Sequence, residues 1–224
     1  MNTSQASSDF GPALITLQAA AMLVIQFLMV GQRMLPAGIR LFAVQSFLLA
    51  GIAAVTAYSH HVPEVYLVAG LTLAGKVIVL PWFMLRLVRQ VGIDQEHRPW
   101  LNAPSAMLLC GGLALLSYVV ARPFATAEAA GAHTFGVSIA LMLSGFFLMI
   151  NRRRAITQVL ALLCAENGVV LAAISLTVRG MPVVVELGVF FDLFIGIVVL
   201  SILVYRIRET FSSIDVDQLN RLKG

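Results

Sequence analysis

The chain has 224 residues, of which 59% are hydrophobic and only 12% charged, where soluble domains carry about 25% charged residues. That composition excludes a water-soluble globule, and apolar runs of bilayer-crossing length point to an integral membrane protein. The net charge of +4 is no nucleic-acid footprint, because the basic residues sit in short loops between apolar runs, where they report orientation.

In chain order, apolar runs bounded by charge, proline or polar clusters predict seven spans, at residues 10–31, 41–59, 62–85, 103–121, 134–150, 155–178 and 181–205. Residues 1–8 lack the positive region of a cleaved signal, so the first run is read as a retained helix. Continuous apolar runs without in/out alternation select helices over a barrel. The expected fold is therefore an all-α membrane protein with no room for a soluble domain.

Arginine and lysine test the helix count, since cytoplasmic loops collect them. Alternating crossings put Arg33, Arg40, Arg86, Arg89, Arg98, Arg152, Arg153, Arg154, Arg206, Arg208, Arg221 and Lys223 on one side. Only Arg122 and Arg179 fall on the other. The asymmetry predicts an amino end outside and a carboxyl end in the cytoplasm. Pro12, Pro36, Pro63, Pro99, Pro104, Pro123 and Pro182 fall at span ends or in loops, where a missing N–H costs little. Pro81 alone lies well inside a span, and it denies a donor to the carbonyl of Val77. A kink or opened turn is expected there, beside Lys76.

Five ionisable residues remain inside the spans: Glu64, Lys76, Glu166, Glu186 and Asp192. A charge at mid-membrane costs about 2.5–3.5 kcal/mol on insertion scales, so such groups face the bundle interior or a water cavity and often mark proton or ion paths. Helical rise places Lys76, Glu166 and Asp192 roughly 15, 18 and 21 Å from the cytoplasmic edge, all near the middle. Glu64 and Glu186 lie about 33 and 30 Å away, at the outer interface. Glu64 follows Pro63 at a helix start, where its charge suits the helix dipole, and reads as structural. Glu186 reads either as structure or as the outer end of a pathway.

Gly188, Asp192 and Gly196 recur on one helix face and leave room around the acid for water or a neighbouring helix. Asn167 and Gly168 open similar space after Glu166. A deep lysine and two deep carboxylates at similar depth suit a proton relay, because burial disfavours the charged form of each and their titrations couple. The competing reading is a static buried ion pair that locks the bundle. His60, His61 and His133 lack chelating spacing, so no metal site is expected. Cys110 and Cys164 read as small buried hydrophobes, and no motif for a catalytic centre is found.

From about residue 134 onward the chain resembles the K subunit of bacterial NADH:quinone oxidoreductase and the C subunit of Mrp antiporters. The resemblance rests on the basic turn Ile150-Asn151-Arg152-Arg153-Arg154, a helix with Glu166-Asn167, then Asp192 with Gly196 four residues on, and a tail from Ile214 to Gly224. With four preceding helices, the whole chain resembles the hydrogenase-4 component E family of group 4 hydrogenase and formate hydrogenlyase complexes. In the K subunit two membrane glutamates belong to the proton path. On this resemblance the first falls at Leu163, with Glu166 one turn later on the same face, and the second at Asp192. Glu166 and Asp192 would stand in for the pair. Spans one to three and five to seven also share a weak internal likeness, with Gln45 standing where the second unit has its midspan acid.

The sequence thus divides into an amino-terminal membrane region (1–133), a K-subunit-like region (134–205) and a cytoplasmic tail (206–224). The reading is a non-catalytic membrane-arm subunit of the bacterial inner membrane, with Lys76, Glu166, Asp192 and Glu186 as relay stations. Its implied partners are antiporter-like membrane subunits and cytoplasmic hydrogenase-like and iron–sulfur subunits, which would hold nickel–iron and iron–sulfur centres; none is expected in this chain. The rivals are an independent cation/proton antiporter and a purely structural spacer.

Overall fold

The computed structural model describes residues 3–60, 64–91, 99–124 and 129–177, together with Gly196. Its elements are all helical: α1 (Thr3–Gly31), α2 (Leu35–His60), α3 (Glu64–Leu71), a π-helical segment (Thr72–Val79), α4 (Leu80–Val91), α5 (Ala103–Ala121), a short 3₁₀ turn (Arg122–Phe124), α6 (Ala129–Asn151) and α7 (Ala155–Thr177). The α3, π and α4 pieces run on as one crossing. Among the described residues, six stretches are long and apolar enough to span a bilayer: Gly11–Gly31, Leu35–Ser59, Val65–Arg89, Ala103–Ala121, His133–Asn151 and Ala155–Leu176. These are the first six expected spans. The seventh, at 181–205, and the tail at 206–224 lie outside the described residues apart from Gly196.

Pro12 departs from expectation, because α1 begins at Thr3 and encloses it. The carbonyl that a proline deprives of a donor lies four residues upstream, before the apolar stretch, where water can serve it. Pro81 also acts differently from a simple break. The opened turn lies upstream of it and takes π form over Thr72–Val79, with the Leu80 N–H donating to the Gly75 carbonyl five residues back. A proline ring crowds the carbonyl four residues before it as well as lacking an N–H, and a widened turn relieves both problems while the helix continues.

Helices alternate in direction. At one end, the Arg152 guanidinium Nη2 donates to the carbonyls of Met29 (3.1 Å), Val30 (3.4 Å) and Gln32 (2.6 Å) at the close of α1. A cation there satisfies carbonyls that the helix itself leaves open and complements its dipole. Beside it, Asn151 accepts from the backbone N–H of Trp100 and of Leu101, and Arg153 lies 4.3 Å from the centroid of the Trp100 ring. At the other end, the rings of Tyr118 and His133 meet edge to face at 6.2 Å. The inter-helix segments at 32–34, 99–102 and 152–154 therefore gather at one end, the grouping that the arginine pattern predicts.

Packing follows membrane rules, in which small residues let helices approach and large apolar side chains face lipid. α7 is the most enclosed helix and α5 the most peripheral, with Leu108 and Leu115 exposed. The α6–α7 contact is closest where α-carbons come together. A Cβ at Gly145 would lie 2.6 Å from the Ala165 backbone nitrogen, and one at Gly168 2.7 Å from the Met142 nitrogen. Gly111 on α5 faces open space. Gly145→Ala is therefore expected to cost about 1–3 kcal/mol by overpacking and lower the thermal unfolding temperature in detergent, whereas Gly111→Ala leaves that temperature unchanged or slightly raised.

Candidate functional site

Of the three apolar clusters among the described residues, two lie on either side of a polar layer. One joins Met22, Leu49, Ile52, Val65, Val68, Leu141, Leu171 and Ile174. The other joins Met29, Ile39, Phe42, Leu80, Met84, Leu160, Leu163 and Cys164. Between them, on each of four crossings, sits a polar residue: Gln26 on α1, Gln45 and Ser46 on α2, Thr72 and Lys76 on the π segment, Glu166 and Asn167 on α7. All are buried, with Lys76 at 3% exposure, Glu166 at 2% and Asn167 and Gln45 at 0%. A layer of this kind in hydrocarbon stands only if its groups satisfy one another, since an unpaired polar group there costs several kcal/mol.

They do so as a connected chain. Lys76 Nζ lies 3.3 Å from Glu166 Oε2 and donates to Asn167 Oδ1 at 3.2 Å. Asn167 Nδ2 donates in turn to Gln45 Oε1 (3.3 Å) and Ser46 Oγ (3.1 Å). Gln45 Nε2 donates to Gln26 Oε1 (3.0 Å) and to the Met22 carbonyl (3.3 Å). Adjacent residues of α7 thus share the lysine, one as counter-charge and one as acceptor.

The π segment is what aims Lys76. Thr72 and Lys76 are its buried pair, while Leu73, Ile78 and Val79 face outward. π-helical turns often mark functional positions, and this one is installed by Pro81 just beyond it. Two polar atoms flank the layer, Thr72 Oγ and Gln26 Nε2. Neither has a hydrogen-bond partner among the described residues.

Of the expected site residues, the structure brings Lys76 and Glu166 into contact and places Pro81 at the end of the π segment. Asp192, Glu186 and Gly188 lie outside the described residues; of Gly196 it is seen that a Cβ would meet nothing within 4 Å. Leu163, where the family glutamate was aligned, is an apolar core residue. Gln26 and Ser46 were not singled out from sequence, although an uncharged amide deep in an apolar helix is itself a signal. Arg152, read from sequence as an orientation marker and as part of the basic turn, is nearly buried at 6% exposure and clasps the end of α1. Cys110 and Cys164 are free and buried, Cys164 Sγ lying 3.7 Å from Met29 Sδ.

Comparisons with known proteins match this helical chain to subunits of membrane oxidoreductases. The family model for NADH-ubiquinone/plastoquinone oxidoreductase chain 4L matches residues 133–224, the stretch whose K-subunit likeness was read from about residue 134. Along nearly its whole length the chain is similar to the protein Rv0085 of Mycobacterium tuberculosis, 29% identical over 212 residues, which is 94% of this chain and 96% of that protein. It is similar to hydrogenase-4 component E of Escherichia coli K12 and of Shigella flexneri, each 24% identical over 184 residues, 82% of this chain and 85% of the relative. The resemblance to the hydrogenase-4 component E family is thereby borne out. No solved structure matches the chain.

The layer also yields a stability test. Removing one partner of a buried pair leaves the other uncompensated at about 3–5 kcal/mol, whereas replacing both by apolar groups of similar volume is often neutral or stabilising. Glu166→Leu alone should sharply lower thermal stability in detergent, and Lys76→Met combined with Glu166→Leu should recover most of the loss. A double-mutant cycle measures the coupling.

Proposed function

We propose that this chain is a membrane-arm subunit of a proton-translocating oxidoreductase of the hydrogenase-4 or complex I kind, and that its mid-membrane polar layer carries part of a lateral proton path. The observation that supports this most is the Lys76–Glu166 contact within a hydrogen-bonded layer crossing four helices. The layer runs from α7 through α2 to α1 and so offers a polar route in the membrane plane.

In this reading Glu166 takes and releases the proton, and Lys76 is the charge whose distance from it controls that exchange. Asn167, Gln45 and Ser46 do not titrate. They hold the lysine in place and keep the layer polar, while waters at Thr72 and Gln26 complete the route, since a buried water needs such unpartnered polar groups. Asp192, four residues from both Gly188 and Gly196 in the sequence, would be the next station, and Glu186 the outer one. The fold would comprise seven spans, amino end outside and carboxyl end in the cytoplasm, in the bacterial inner membrane. The K-subunit-like region 134–205 and tail 206–224 would follow the amino-terminal region 1–133. Nickel–iron and iron–sulfur centres would belong to cytoplasmic partner subunits, and antiporter-like subunits would flank the layer.

Purification of the tagged chain in mild detergent, with mass spectrometry and nickel and iron measurement on the same sample, tests the assembly. Antiporter-like subunits with a nickel–iron large subunit are expected, and a chain that purifies alone and transports protons in liposomes would contradict it. Within the assembled complex, Glu166→Gln or Asp192→Asn should preserve assembly and redox turnover while lowering proton uptake into inverted vesicles by about tenfold or more, as loss of an essential proton-transfer group does. Unchanged pumping in both variants would overturn the relay.

A further inference from the structure

The carboxyl-terminal part of the third crossing has two unlike faces. Leu80, Met84, Leu87 and Val88 are buried in the bundle. Trp82, Arg86 and Arg89, spaced four and three residues apart, form one exposed stripe on the opposite side, as side chains with that spacing share a helix face. With Leu85 they line an open groove of about 420 Å³. The Arg86 guanidinium lies 5.6 Å from the centroid of the Trp82 ring, so both are held at the groove. Neither Arg86 nor Arg89 makes an ion pair or hydrogen bond among the described residues, in contrast to Arg152, which is spent on backbone carbonyls.

Depth decides what fits. Arg89 closes the membrane-spanning stretch Val65–Arg89, so the two guanidinium groups stand at headgroup level. Tryptophan is the residue typical of that interface. One turn further into the bilayer, Ile78 and Val79 are exposed on the same crossing, an apolar track continuing from the charged groove. We propose that this groove is a binding site for an anionic glycerophospholipid: Arg86 and Arg89 hold the phosphate, Trp82 packs on the glycerol region, and the acyl chains run along Ile78 and Val79. Two cations with no ion-pair partner among the described residues, above an apolar track, match a charged headgroup above hydrocarbon, and basic pockets on transmembrane helices take such lipids.

Native mass spectrometry of the full chain, released from micelles holding equal phosphatidylglycerol and phosphatidylcholine, tests the site. Phosphatidylglycerol should be retained selectively. Arg86→Gln with Arg89→Gln should cut retention by roughly tenfold or more, since each basic residue near a headgroup contributes a several-fold factor. Arg33→Gln with Arg40→Gln should not. Equal retention of both lipids, or retention unchanged in the Arg86/Arg89 variant, would overturn the proposal. A benzophenone on Leu85→Cys in intact membranes gives an independent reading. A lipid adduct supports the site, whereas an adduct to another polypeptide assigns the groove to a protein partner and overturns it.

Discussion

Taking an ammonium and a carboxylate out of water into a bilayer is the constraint around which this bundle is arranged. Lys76 and Glu166 approach to 3.3 Å, yet the pair by itself leaves the remaining donors and lone pairs to be satisfied where no bulk water can help. Asn167 accepts a hydrogen bond from Lys76, Gln45 and Ser46 accept from Asn167, and Gln26 accepts from Gln45. The requirement spreads across four crossings, which is why a polar layer separates two apolar clusters.

The rest of the fold holds that layer in register. Pro81 opens the third crossing into π form and sets Thr72 and Lys76 on its buried side. Gly145 and Gly168 let α6 and α7 meet at backbone distance, fixing the helix that carries both Glu166 and Asn167. Arg152 ties the turn between α6 and α7 to the end of α1 through three carbonyls. The amide layer reaches α1 at a second level, by way of Gln45 on α2.

Span positions were legible in the sequence because the bilayer imposes both a length and a composition. The α5 bounds agree outright, and those of α1 and α7 agree at their inner ends. Depth arithmetic on Lys76 and Glu166 was also enough to put them at one level. It could not put them in contact, since helix rotation about its axis is set by packing and not by hydropathy. Gln26 and Ser46 were hidden for a different reason: they carry no charge and stood out only once the hydrogen bonds of the layer were known. Pro81 announced a disturbance, but whether a proline kinks a helix or widens the turn before it depends on what the neighbouring helices must bury.

The relatives of this chain include hydrogenase-4 component E, and residues 133–224 match the chain 4L family model; the proposed proton path is what would give this layer its work. The central claim is that Glu166 changes protonation while the complex works. Infrared difference spectroscopy of the assembled complex, comparing resting and reduced states, reads this directly. The account predicts a carboxylic-acid carbonyl band that appears or vanishes on reduction and is absent from the Glu166→Gln difference spectrum. A spectrum with no such band, the carboxylate remaining ionised beside Lys76 throughout, would mean that the pair is a fixed lock.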